Sequence, residues 1–278
     1  MTVEKINLKE HFPMLPNDVE LHFYNISYSR EYAGKVHPAM IICPGGGYVM
    51  TSDREAEPIA FGYLAHGISC FILRYSVAPS TYPTAHTELA AAVAYVRAHA
   101  KELLVNPDAI GLTGFSAGGH LIGSYSAGLW HDGGFAEKLG VDVEMLRPNA
   151  MVPCYGLLLS SGEFTHDGCI HTFLGDNDTP EMRESIDTVK LIGENTPPAF
   201  LFHTAPDKVV PVENSLLVAC ALSAHKIPFA MRIYHECGHG IARANRMTNN
   251  EDNLPPAYIS RWIDDCSDWF LRITGYRK

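Results

Sequence analysis

Short apolar runs separated by polar or glycine-rich stretches recur along the chain, and their period changes from one stretch to the next. VELHFYNISYS (19–29) alternates apolar and polar residues, which predicts an early antiparallel strand. AMIICP (39–44) and ISCFILRYS (68–76) are continuous apolar runs of the kind found in buried parallel strands. TELAAAVAYVRAHA (87–100) is alanine-rich with helical spacing, and NPDAIGLTGF (106–115) reads as a turn followed by a strand. SAGGHLIGSYSAGLW (116–130) is a helix with small residues on it. PCYGLLLS (153–160), PPAFLFHTA (197–205) and PFAMRIYHE (228–236) predict further strands. NSLLVACALSAHK (214–226) predicts a helix, and ISRWIDDCSDWFLRITG (259–275) a closing amphipathic one.

Apolar strands alternating with helices argue for an α/β domain, with a mostly parallel sheet covered on both faces. Two stretches break the alternation, 131–150 and 161–196. They read as cap or insert segments over the strand ends of one domain spanning 1–278, because loops of that length usually serve function.

Composition narrows the function classes. The chain has 278 residues, 46% hydrophobic and 19% charged, enough for one large core. A net charge of −10 argues against nucleic-acid or anionic-membrane partners, which need a basic face. The N-terminal residues MTVEKINLKEHFPML lack an apolar signal region, and no apolar run approaches the roughly 18 residues of a membrane span. Seven scattered cysteines without a CxxC pair suggest buried reduced thiols rather than a zinc site or disulfide scaffold. Together these predict a cytoplasmic protein.

Candidate chemistry centres on Gly114-Phe115-Ser116-Ala117-Gly118. A strand, a tight turn and a helix surround this G-x-S-x-G, the context that holds a serine in a strained conformation at a strand's C-terminal end. A serine N-cap with packing glycines is the alternative. A nucleophilic serine needs a base, and the base an orienting carboxylate. Asp207 and His239 follow later strands, in the chain order that this architecture uses. Glu213 and His235 are their nearest rivals; His120 and His203 read as packing histidines.

Pro44-Gly45-Gly46-Gly47-Tyr48 follows an earlier strand. It lacks the Lys of a phosphate-binding P-loop and the spacing of a dinucleotide fingerprint. With a nucleophile on a later strand, its amides fit an oxyanion hole; a structural turn and a phosphate cradle are the other readings.

CPGGGY (43–48), RYSVAP (74–79), NPDAIGLTGFSAGGHL (106–121), TPPAFLFHTAPDKVVPVENSL (196–216) and ECGHGIA (236–242) resemble the α/β-hydrolase superfamily, in its acetyl-xylan-esterase-like lipase/esterase branch. The resemblance implies a sheet of about eight strands, Ser116 as nucleophile, Asp207 as orienting acid and His239 as general base. It implies Gly45, Gly46 and Ala117 amides as the oxyanion hole, with Gly47 the uncertainty in register. It further implies hydrolysis of short acyl esters, acetyl groups on xylo-oligosaccharides foremost, with no metal or organic cofactor. Gly47, Tyr48, Tyr75 and Tyr155 are candidate substrate-binding residues, with Arg54 and His166 as further lining residues. A serine peptidase on the same fold and a non-catalytic binding homologue are the alternatives. Because the base must be neutral, activity is expected to fall below about pH 6–7, near an ordinary histidine pKa.

Overall fold

The computed structural model describes residues 2–25, 31 and 34–277. Eight strands form one sheet: β1 (Thr2–Asn7), β2 (Glu20–Asn25), β3 (His37–Cys43), β4 (Ser69–Arg74), β5 (Val105–Phe115), β6 (Ala150–Cys154), β7 (Ala199–Thr204) and β8 (Phe229–Tyr234). Their spatial order is β1-β2-β4-β3-β5-β6-β7-β8. The first two strands pair antiparallel, β2 pairs antiparallel with β4, and every later pairing is parallel. This is the sheet of an α/β-hydrolase fold.

The central parallel strands are apolar and buried over most of their length because helices cover both faces, whereas the edge strand β8 is half-exposed and carries Arg232. In β3, Ile41 joins Phe71 and Leu112 in the core on one face, while Met40 and Ile42 join Cys70, Ile72 and Val152 on the other. The principal covering helices are α1 (Glu57–Leu64), α2 (Thr84–Ala98), α3 (Ala117–Ser124), α4 (Asp167–Leu174), α5 (Glu213–Ala224) and α6 (Trp262–Ile273). In α6, Trp262, Ile263, Cys266 and Phe270 turn inward at helical spacing.

The strand pattern was largely legible, with two departures among the described residues. β1 lies in a stretch whose mixed polarity gives no strand signal; it is held by antiparallel pairing to β2. Residues 26–29 of the alternating run lie outside the described residues. The run 153–160 leaves the sheet after Cys154. Its buried backbone is satisfied elsewhere: Leu157 N–H donates to Ser116 O, and Leu158 and Leu159 N–H both donate to Asn214 Oδ1. Apolar composition there reports burial rather than a strand. Helix α1 also went unread, since its apolar residues lack a one-sided stripe.

The two irregular segments part company. Residues 143–149 lie at the far end of the sheet from Ser116: Arg97 of α2 donates to Met145 O and Arg147 O, and Asn149, just before β6, pairs with Ile110 in the middle of β5. These residues therefore sit at the strand ends opposite those that carry Ser116. The 161–196 segment does reach the ends on the Ser116 side, through His166 and α4.

One constraint fixes the junction of β3, β5 and α3. A Cβ on Gly114 would collide with Gly118 O, and one on Gly118 would collide with Cys43 O. Gly118→Ala should therefore destabilise the protein by at least about 3 kcal/mol, the upper range for overpacking. Gly162→Ala, where φ is +88° but the space is open, should lose only about 1–2 kcal/mol of left-handed strain. Urea denaturation of the two variants compares them directly; equal losses would show that the close approach is not rigid.

Candidate active site

β5 ends at Phe115, and the chain turns into α3 through Ser116 with φ 51° and ψ −117°. This is the left-handed region that residues with a Cβ avoid. The turn is over-determined by its hydrogen bonds. Ser116 N–H donates to Cys154 O at 3.1 Å, while Ser116 O accepts from Leu157 N–H at 3.2 Å and His120 N–H at 3.1 Å. The strain lifts the side chain clear of sheet and helix at the carboxyl edge.

His239 lies on the loop after β8, between Gly238 and Gly240. Its Nε2 is 2.8 Å from Ser116 Oγ, and its Nδ1 is 2.7 Å from Asp207 Oδ2. Asp207 follows β7 and is buried. Its other oxygen accepts the N–H groups of Val209 and Val210 at 2.9 and 3.0 Å. His203 Nε2 donates to Val210 O at 2.9 Å and stands 3.5 Å from Asp207 Oδ2, while its Nδ1 pairs with Ser215 Oγ. Burial pushes the Asp207 carboxyl up, but hydrogen bonds from His203 and His239, the nearby His239 charge and the Val210 N–H outweigh it. They hold Asp207 well below the usual carboxylate range. With Asp207 as the acceptor at Nδ1, the His239 tautomer that fits this geometry carries its proton on Nδ1 and presents Nε2 to Ser116 Oγ. Of the rival residues, Glu213 begins α5 and His235 is exposed beyond β8.

The glycine loop lies beside Ser116, but its amides are not equivalent. Gly45 N–H donates to Glu55 Oε2 at 2.8 Å. It is therefore engaged and not available to an oxyanion, which corrects the expectation for Gly45. Gly46 and Gly47, both at positive φ, line the same cavity as Ser116. That cavity has about 420 Å³ and is also lined by Arg54, Leu157, His166, Val210 and His239. A second cavity of about 440 Å³ meets it at Arg54, His239 and Gly240, and is walled by Asn249, Asn253 and Leu254.

Three tyrosines expected at the substrate are instead buried supports. Tyr48 donates or accepts at His120 Nδ1 (2.7 Å) and stacks on Phe173. Tyr75 donates to Pro44 O at 2.6 Å, bracing the glycine loop from behind. Tyr155 donates to Glu55 Oε1 at 2.8 Å, and its ring stands edge-on to His239. Adjacency in sequence brings a tyrosine near the loop but does not say which way its side chain turns. Arg54 and His166 do line the cavity. His166 caps α4 by accepting Cys169 N–H at Nδ1, so its neutral form carries the proton on Nε2. His120 and His203 are buried packing histidines, as expected; burial pushes His120 down to about 3. Glu55 was missed; its only sequence signal is an acid close after the glycine run.

Residues 26–222 match the BD-FAE family. This chain belongs to the BD-FAE family. It is 33% identical to an acetyl ester-xyloside bifunctional hydrolase from Caldicellulosiruptor lactoaceticus, covering 99% of this chain and 97% of that one with a TM-score of 0.81. It is 26% identical to the carboxylesterase Cest-2923 from Lactobacillus plantarum WCFS1, over 100% and 99% of the two chains, with a TM-score of 0.86. A Butyrivibrio fibrisolvens protein named endo-1,4-beta-xylanase B is 32% identical over 74% of this chain and 33% of its own length. An acetylxylan esterase from Xylanibacter ruminicola is 28% identical over 73% of this chain and 40% of its own length. The matches thus span a third to under half of the length of these curated relatives. Family and neighbours are those of carboxylic ester hydrolases within the α/β-hydrolase superfamily. Among the described residues no helix is long and apolar enough to cross a membrane.

Asp207→Asn keeps the size of the side chain but removes the acceptor that fixes the His239 tautomer. It should lower kcat roughly 10⁴-fold, as such a change does in other serine triads. The variant also tests the linkage sign. A carboxyl whose folded pKa lies below its unfolded value of about 3.9 stabilises the fold above that pH. The contribution disappears as pH falls toward the folded value. Urea unfolding from pH 6 down to pH 3 should show the stability advantage of wild type over Asp207→Asn shrinking; a constant difference would refute the assignment.

Proposed function

We propose that the protein is a serine carboxylesterase acting on short acyl esters, acetyl groups on xylo-oligosaccharides or related carbohydrates foremost. The observation that carries this reading is the unbroken hydrogen-bonded chain Asp207–His239–Ser116, opening into a cavity beside a glycine loop.

In the proposed mechanism Ser116 Oγ attacks the ester carbonyl carbon while His239 Nε2 takes its proton. The carbonyl oxygen becomes an oxyanion held by the N–H groups of Ala117 and Gly46, with Gly47 as the alternative donor on the loop. The N-terminal end of α3 adds its partial positive charge. The tetrahedral species collapses as His239 protonates the leaving alcohol, giving an acyl-serine. Water, deprotonated by His239, then repeats the sequence and releases the acid. The residues that act are all on this chain, and Asp207 stabilises the imidazolium formed in each half.

The cavity over Ser116 accommodates the acyl group, with Leu157 and Val210 in its wall. The second cavity, which shares Arg54, His239 and Gly240 with the first and is also walled by Asn249 and Asn253, gives room for a carbohydrate leaving alcohol. The acetyl ester-xyloside hydrolase and the acetylxylan esterase among its relatives support the same substrate class. The cytoplasmic, single-domain reading and the exclusion of nucleic-acid and membrane partners belong to this proposal too.

Hydrolysis of p-nitrophenyl acetate by wild type and Ser116→Ala is the direct test. Wild type should turn over and the variant should lose at least about 10³-fold in kcat/KM. Chains of eight carbons or more should be poorer substrates than acetate, and preference for them would overturn the acetyl reading. Fluorophosphonate should label wild type and not Ser116→Ala; failure of both labelling and turnover would favour a binding homologue. Faster cleavage of an anilide than of the matched ester would favour a peptidase.

A further inference from the structure

A second buried carboxylate stands by the active site. Glu55 is 3% exposed, at the end of the short turn Asp53–Glu55, and the steps above leave it unused. Its oxygens have separate partners. Oε2 accepts Gly45 N–H at 2.8 Å, and Oε1 accepts the Tyr155 hydroxyl at 2.8 Å. That hydroxyl in turn accepts Ala242 N–H at 2.9 Å, three residues beyond His239. The Tyr155 ring lies edge-on to the His239 ring, with centroids 5.1 Å apart. The preceding residue, Arg54, reaches the same loop from its other side: Nη2 donates to Gly240 O at 2.9 Å and Nη1 to Thr248 O at 3.1 Å.

One turn therefore ties the glycine loop to the histidine loop, although the two lie almost 200 residues apart in sequence. Among the described residues no ion pair reaches Glu55. Burial pushes its carboxyl up; the hydrogen bonds from Tyr155 and Gly45, with the charges at His239 and Arg54, oppose that. A buried carboxylate with two acceptor bonds and no salt bridge is costly unless those bonds matter. The room around it is fixed: a Cβ on Gly45 would sit 2.8 Å from Glu55 Oε2 and 2.9 Å from Ser116 Cβ. Gly45 is thus wedged between the carboxylate and the serine.

We propose that Glu55 is a positioning residue of the active site, whose carboxylate sets the register between the oxyanion loop at Gly45–Gly47 and the loop that carries His239. It holds Gly45 directly, and so the Gly46 peptide that follows. Through Tyr155 it holds the wall against which His239 packs and the backbone at Ala242. The inference rests on the Ser116–His239–Asp207 reading.

Glu55→Gln keeps the shape but replaces one accepting oxygen by an amide that only donates. Either Gly45 N–H or the Tyr155 hydroxyl then loses its acceptor. With active sites counted by fluorophosphonate titration, kcat per site for p-nitrophenyl acetate should fall about 10- to 100-fold, the scale of small misplacements of reacting groups. KM should change less than about 3-fold, because the interaction acts on the transition state. Tyr155→Phe should lose less, and the double variant should lose less than the product of the two, since both cut one connection. A kcat per titrated site within twofold of wild type, or a loss confined to KM, would overturn the proposal. If Glu55→Gln does not fold, Tyr155→Phe and Arg54→Met decide: kcat per site within twofold of wild type in both would overturn it. Failure of the triad reading looks different, because Ser116→Ala would then remain active.

Discussion

Everything in the site depends on how closely three pieces of backbone approach at the end of β5. Gly114 touches the α3 backbone at Gly118, and Gly118 touches β3 at Cys43. Because no side chain intervenes, the serine between these glycines is forced into a left-handed conformation and projects from the carboxyl edge. The same contact puts the glycine loop, which continues β3, beside Ser116. Loop and serine are therefore brought together by sheet packing, and neither needs a side chain of the other.

Around that junction the protein spends its buried polar groups on orientation. Asp207 accepts two backbone N–H groups as well as His239, so the acid cannot swing away from the imidazole. Tyr75 holds Pro44 O, Glu55 holds Gly45 N–H, and Arg54 holds Gly240 O. Each of these supports acts on backbone, which fits a site whose proposed electrophilic contacts are backbone amides. A preorganised amide costs no rearrangement when charge develops on the substrate oxygen.

The site's outline was legible from short-range signals. Strand, tight turn and helix around Ser116 could be read because small residues and apolar runs carry local geometric requirements. Asp207 and His239 could be ranked above Glu213 and His235 because each follows a predicted strand, and strand ends are where an open parallel sheet gathers its loops. Other assignments failed for a common reason. Tyr48, Tyr75 and Tyr155 each lie near a site element in sequence, yet their side chains turn into the core. Gly45 and Gly46 are adjacent glycines that sequence alone does not distinguish, and the carboxylate of Glu55, ten residues on, engages the amide of Gly45.

By itself the sequence determined the periodic strands and helices, the superfamily resemblance and the Ser-Asp-His order, because these follow from local conformational preference and from burial of one kind of surface. Tertiary structure alone decided which amides are engaged, which tyrosines face inward, and that 143–149 lies at the far end of the sheet while α4 approaches the site. These are outcomes of long-range contacts between loops whose own composition is nearly featureless. A hydrogen bond between residues 55 and 155, or 54 and 240, leaves no trace in local periodicity. It exists only once the sheet has set the distance between the loops.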